Sequence, residues 1–306
     1  MTIASRLLNA VRSIAHYSDA EERREATTQL VLSGAIQAEK VKARTAIRSL
    51  ADVEFKVFSQ FGDDGILQWL TANLVIPNKT FVEFGVEDYR ESNTRFLMMK
   101  DNWSGLVIDG SKDNVSNIIN SEYYWRYDLT AKAAFIDRDN INSLLSVPGM
   151  NPEVGILSVD LDGNDYWILQ EIKAVAPIIL IVEYNAVFGS DRALTIPYDP
   201  TFRRTAAHHS NLYWGASLRA FSGLCEKNGF AFVGCNSAGN NAYFIRRDKL
   251  NGTVREVSLD HGFVVSRFRE SRDREGRLTY LTGDRRLAEI RGMPIFNLDT
   301  NQLESL

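Results

Sequence analysis

The chain predicts an α/β protein built on an open, mostly parallel sheet with flanking helices, and three observations carry that prediction. Four short apolar runs, at 80–84, 105–108, 156–159 and 178–182, each open onto an acidic or glycine-containing turn. Apolar residues at helical spacing fill the intervals between them. Two more β-rich runs, 230–234 and 241–245, follow closely and predict an antiparallel hairpin that ends the sheet. In such sheets a ligand sits at the carboxyl ends of the strands, where the strand order reverses.

Taken in order, residues 1–55 form a helical extension. Ile3, Leu7, Leu8, Val11, Ile14 and Ala15 fall at helical spacing. Ser18 and Glu21 fit a capping box and so start a second helix running towards Leu50. This extension is expected to cover the main domain, with a homo-oligomeric or membrane-peripheral arm as the functional alternative. Residues 56–248 form the main domain. Gln60 and Gly62 lie in a turn, and Asp63 or Asp64 caps a helix carrying Ile66, Leu67 and Leu70. A helix with Phe96, Leu97 and Met98 follows strand 80–84, a third strand is expected at 124–127, and Ile141 to Leu145 reads as helix. The loop 189–214 carries Pro, Arg and His, and a helix over 217–227 is stopped by Gly229. Residues 249–306 form an appendage with an Arg-rich stretch at 267–277, read as solvated surface, and a candidate edge strand at 292–296.

Composition narrows the function. A net charge of −4 gives no bulk attraction to nucleic acid or anionic membranes. The longest apolar run, 174–182, is far short of the roughly 20 residues a transmembrane helix needs, and no signal-peptide pattern opens the chain. Cys225 and Cys235 have neither disulfide-scaffold nor zinc spacing. A cytoplasmic protein is expected. GxSxG, GxxxxGK[ST], HExxH and the EF-hand loop are absent.

The strand exits hold the chemistry. Strand 80–84 leads into Glu83-Phe84-Gly85-Val86-Glu87-Asp88, with one glycine and three acids where a dinucleotide fold would show GxGxxG. Negative charge there repels pyrophosphate and suits a ligand with an amine or sulfonium centre, pointing from NAD towards S-adenosylmethionine; Glu83 as a helix cap is the structural alternative. Asp109, before Gly110 and Ser111, sits where an acid commonly accepts both ribose hydroxyls. Asp160 and Asp162 leave one strand, Glu183 and Asn185 its neighbour. These oxygen ligands suit one Mg²⁺, a carboxylate general base, or, for 162–165, a turn and cap. His208 and His209 are candidate bases in the overhanging loop, and Tyr213 and Trp214 are candidate acceptor walls or core residues.

SQFGDDGIL, FVEFGVED with SNT after it, GLVIDGS, LSVDLDGNDYWI, IVEYN, GASLRAF and GNNAYFIRRD together resemble the FkbM-like family of class I S-adenosylmethionine-dependent methyltransferases, over roughly 58–248. The likeness is to bacterial members linked to surface polysaccharide or other glycan modification. It implies a Rossmann-like seven-stranded sheet with an antiparallel final strand, and O-methylation of a hydroxyl on a sugar or other small acceptor. It further implies cofactor contacts from Gln60, Glu83, Gly85, Val86, Asp109, Gly110, Ser111, Asp128 near the adenine, and Asp160. Asp160 would face the methyl group, with Asp162, Glu183 and Asn185 as metal ligands. Glu87 departs from the pattern, since many such enzymes have a second glycine there. It supports one rival reading, a degenerate scaffold for polysaccharide assembly; the other rival is another nucleotide-using glycan enzyme on a similar sheet.

Overall fold

The computed structural model describes residues 3–306, with side chains from residue 21 onward. The chain runs α1 (Ile3–Lys42), α2 (Asp63–Asn73), β1 (Thr80–Phe84), α3 (Arg95–Asp101), β2 (Ser104–Asp109), α4 (Lys112–Ile119), β3 (Leu129–Ala133), α5 (Ile141–Leu145), β4 (Glu153–Val159) and α6 (Asp165–Glu171). It continues with β5 (Ala176–Glu183), β6 (Leu194–Thr195), α7 (Arg204–Ala207), α8 (Leu218–Lys227), β7 (Phe230–Cys235), β8 (Asn241–Arg246), α9 (Leu259–Gly262), α10 (Asp284–Glu289), β9 (Pro294–Asn297) and β10 (Gln302–Ser305).

Seven strands pair in the order β3-β2-β1-β4-β5-β8-β7. The first five are mutually parallel, and β8 runs antiparallel to both β5 and β7. This is the Rossmann-like, mostly parallel sheet with an antiparallel final strand that the motifs implied. Because successive strand residues point to opposite faces, Val82 and Phe84 join the apolar cluster with α6 and α8, whereas Phe81 joins the one with α2 and α3. Both faces are covered, which explains the near-continuous apolar runs of β4 and β5.

The strand order reverses between β1 and β4, so their carboxyl ends diverge into a crevice. Register places Asn241, the first residue of β8, beside Glu183, the last of β5, at the same end. Ser111 and Ser217 cap α4 and α8 by accepting Asn114 N–H and Ala220 N–H. β9 pairs with β10 and with β6, so the appendage is stitched to the loop after β5.

Three sequence expectations are corrected. Residues 3–42 form one helix, not two. No Gly or Pro separates Ala15 from Glu21, so nothing breaks the helix at Ser18. The expected apolar stripe from Ile3 to Ala15 lies outside the described side chains. The third strand is Leu129–Ala133, not 124–127, where the chain makes turns. Tyr123, Tyr124 and Tyr127 pack on the core from those turns, which gave the segment its strand-like composition. A strand does form near 292–296, as β9, but it is the central strand of the small sheet rather than an edge. Ala38 and Val41 of α1 are buried, while Leu30, Leu32 and Ile36 are exposed. No helix among the described residues is long and apolar enough to cross a membrane.

Candidate functional site

β1 and β4 leave the sheet side by side, at Gly85 and Asp160. Gly85 has φ +66°, and a Cβ there would stand 2.0 Å from the Asp160 carbonyl oxygen. Both conformation and space therefore require glycine. Beyond this contact lies a cavity of about 440 Å³, lined by Gln60, Glu83, residues 84–87, Glu91, Asn93, Asp109, Gly110, residues 134–136, residues 160–162, Glu183, Phe202, Arg204, Asn240 and Asn241. The predicted Gln60, Glu83, Gly85, Val86, Asp109, Gly110, Asp160, Asp162 and Glu183 all border it.

The acids differ in what already binds them. Glu83 is buried, with Oε1 accepting Asn93 N–H at 2.7 Å and Oε2 accepting Ser92 and Thr94 hydroxyls at 2.7 and 2.5 Å and Thr94 N–H at 3.1 Å. It fixes the loop before α3, as its capping alternative required, and burial raises its pKa. Asp109 Oδ1 accepts Ser111 N–H at 2.8 Å and the Asn114 amide at 3.1 Å, and Oδ2 accepts Glu87 N–H at 2.8 Å. A carboxylate offers about four lone-pair positions, so Asp109 has room for one further hydroxyl donor rather than the two expected. Asp165 accepts Leu161 N–H and Gly163 N–H at 2.7 and 2.9 Å, folding the turn after β4; burial raises its pKa to about 6.

Asp160, Asp162 and Glu183 bring one carboxylate oxygen each to within 4.8 Å of one another. Burial, followed by the charges of Asp162 and Asp165, raises the Asp160 pKa well above normal; burial, followed by Asp160 and Asp162, does the same for Glu183. Two buried carboxylates so close hold a proton or a cation between them. Glu183 Oε2 is buried with no hydrogen-bond partner in the protein. Arg204 NH1 donates to Asp162 Oδ1 at 2.6 Å, NH2 to Glu270 Oε2 at 3.4 Å and Nε to Asn211 O at 2.9 Å, and the guanidinium lies 4.8 Å over the Trp214 ring. Glu270 brings the appendage into the wall of the site.

Glu87, where the motif resemblance leads one to expect a second glycine, takes the left-handed conformation, φ 48°. Its side chain lines the cavity, and burial followed by the Asp109 charge raises its pKa.

Five predicted site residues are placed elsewhere. His208 Nδ1 bonds Ser210 Oγ at 2.8 Å and His209 Nε2 bonds Glu289 at 3.1 Å, so both face the appendage and neither borders the cavity. Asn185 is buried, donating to Leu212 O and Trp214 O and accepting Val187 N–H; it caps the turn after β5 and does not join the acidic trio. Asp128 precedes β3 and therefore lies at the opposite end of the sheet, because that strand starts later than expected. Ser111 is occupied in capping α4 and does not border the cavity. Tyr213 and Trp214 are buried core residues. Arg204, Phe135, Asn240 and Asn241 were not singled out. Phe202-Arg203-Arg204 in the overhanging loop was a usable signal, since an acidic cleft needs a nearby cation.

No family model and no curated protein matches the chain. Among solved structures, an O-methyltransferase family protein from Burkholderia thailandensis shares 13% identity and a TM-score of 0.36, over 73% of this chain. The match spans only 58% of that protein. An S-adenosylmethionine-dependent methyltransferase from Clostridium acetobutylicum shares 11% identity, TM-score 0.37, over 60% of this chain and 89% of its own. The Methanococcus jannaschii fibrillarin pre-rRNA processing protein shares 11% identity, TM-score 0.36, over 60% and 76%. At these scores the likenesses carry no argument about activity.

Proposed function

We propose that the chain is an S-adenosylmethionine-dependent methyltransferase acting on a hydroxyl, on a sugar or glycan as the motif resemblance implies. The observation that carries the reading is the carboxylate-lined cavity at the strand-order reversal, built around the obligatory glycine after β1. A dinucleotide would bring pyrophosphate against Glu87, Asp109 and Asp162; a sulfonium and an ammonium are attracted there. In this reading Asp109 accepts a ribose hydroxyl, the Gly85 turn receives the methionyl end, and Phe135 and Ile136 replace Asp128 beside the adenine.

The acceptor hydroxyl lies at the carboxyl groups of Glu183 and Asp160. Its oxygen forms a bond to the methyl carbon as the carbon–sulfur bond breaks. The hydroxyl proton passes to the carboxylate pair, and neutral S-adenosylhomocysteine leaves. Alignment supplies much of the rate. The base role passes from His208 and His209 to Asp160 with Glu183.

Mg²⁺ is the second reading, supported by the three converging carboxylates. Two observations weigh against it: Asn185 is turned away, and Asp162 already binds a guanidinium that repels a dication. Activity that survives EDTA leaves the base alone; activity lost and restored by Mg²⁺ reverses the order. Calorimetry with S-adenosylhomocysteine tests the main reading. Binding is expected for the native chain and at least about tenfold weaker in Asp109→Ala. No binding to the native chain overturns methyl transfer and favours the scaffold reading.

A further inference from the structure

We infer that the acceptor is a hydroxylated amine of the free amino-sugar class, with its ammonium group held by Asp162 and Glu183 beside Asp160. This deepens the methyl-transfer reading and rests on it. Seven carboxylate side chains line the cavity against the single guanidinium of Arg204. S-adenosylmethionine brings one net positive charge, from its sulfonium, ammonium and carboxylate groups, and so leaves the imbalance largely in place. Three of the seven, Asp160, Asp162 and Glu183, gather at the β4–β5 end with one carboxylate oxygen each within 4.8 Å.

The protein does not supply the missing charge there. Arg204 divides its donors between Asp162, Glu270 and the Asn211 carbonyl. No donor among the described residues reaches Glu183 Oε2, although the residue is only 8% exposed. A phosphorylated or carboxylated acceptor would add negative charge to this end. A neutral sugar satisfies Oε2 with a hydroxyl but leaves the charge uncompensated. An ammonium brings three donors and a positive charge together.

The neighbouring wall also favours a donor-rich ligand. Asn241 gives its amide N–H to Asp63 at 3.0 Å, which leaves its side-chain oxygen as an acceptor towards the cavity. Asp63 is buried and also accepts the Tyr243 hydroxyl at 2.6 Å and the Asn236 amide at 3.1 Å, so this wall is held rigidly.

Calorimetry on the full chain saturated with S-adenosylhomocysteine tests the inference, with glucosamine, glucose, N-acetylglucosamine and glucosamine 6-phosphate as probes. Glucosamine is expected to bind about tenfold more tightly than glucose or its N-acetyl form, and the phosphate ester more weakly than glucosamine. Glu183→Gln should remove most of the amine preference. If that variant fails to fold, Asp162→Asn, at an exposed position, should reduce it. Equal binding of glucose and glucosamine, tighter binding of the phosphate ester, or no binding by any probe overturns the inference. The initial S-adenosylhomocysteine titration separates the two failures. No cofactor binding sinks the methyl-transfer reading, whereas cofactor binding without amine preference sinks this one alone.

Discussion

Replacing Gly85 with alanine tests the contact on which the site is built. The added Cβ would meet the Asp160 carbonyl oxygen at 2.0 Å, whereas ordinary contact starts at 3.4 Å, so one backbone must retreat by about 1.4 Å. The φ of +66° adds the left-handed cost of an L residue, about 1–2 kcal/mol. Separating two packed strand exits adds about 1–3 kcal/mol of overpacking strain. The expected loss is therefore about 2–5 kcal/mol, read from urea unfolding of the two proteins. The displaced atom belongs to a proposed reacting residue, and a misplacement near 1 Å costs on the order of 100-fold in rate. S-adenosylhomocysteine affinity, measured on the fraction that remains folded, should fall as well. A stability change under about 1 kcal/mol with unaltered cofactor binding would refute the account of this contact.

Three other outcomes are expected. Glu87→Gly should raise stability by about 1 kcal/mol by relieving the left-handed backbone, while the affinity ratio of S-adenosylmethionine to its neutral product falls severalfold in calorimetry; an unchanged ratio would show that the carboxylate does not sense the sulfonium. The acid limb of kcat/KM should lie above the ordinary carboxylate range, because Asp160 and Glu183 have raised pKa values and the base works deprotonated. In Asp162→Asn that limb should move down by roughly one pH unit, since a like charge is lost and Arg204 is freed; an upward shift would contradict this electrostatic scheme. Asp64, raised by burial from 3.8 to about 6, contributes stability that is fully present below pH 3.8 and lost as pH rises through about 6. This is about 3 kcal/mol, so Asp64→Asn should lose less stability than the native chain between pH 4 and pH 7, and parallel urea-unfolding curves would count against it.

The sheet was legible because both its faces are covered. β1 matches its apolar run, and β2, β4 and β5 extend theirs by only a few residues, since burial on two sides leaves no polar alternation to confuse. β3 was misplaced because its own sequence, LTAKA, is only partly buried, while the tyrosines before it carry the apolar signal. The acids at the strand exits were legible from position alone, because a residue that ends a parallel strand has few places to go. Their partners were not. Nothing local in the sequence tells that Asn185 turns to Leu212 and Trp214, or that His209 meets Glu289, since those contacts span 27 to 80 residues. Arg204 reaches Asp162 across 42 residues for the same reason.

An acid at a strand exit becomes informative only when its hydrogen bonds are counted. Glu83, a cofactor-loop candidate, and Asp165, in the turn after β4, have their oxygens filled by nearby backbone and hydroxyl donors, and their work is to shape the turns. Asp64 gathers three backbone N–H groups from residues 57–59 on Oδ2 but leaves Oδ1 buried without a partner, and it lies away from the cavity. Glu183 is as buried as these but keeps Oε2 without a donor, a condition that costs roughly 1–3 kcal/mol if nothing ever fills it. That cost is tolerable where a ligand relieves it on binding, and β5 places the Glu183 side chain in the lining of the cavity. An incomplete carboxylate marks the site only where it also borders the cavity, as Glu183 does and Asp64 does not.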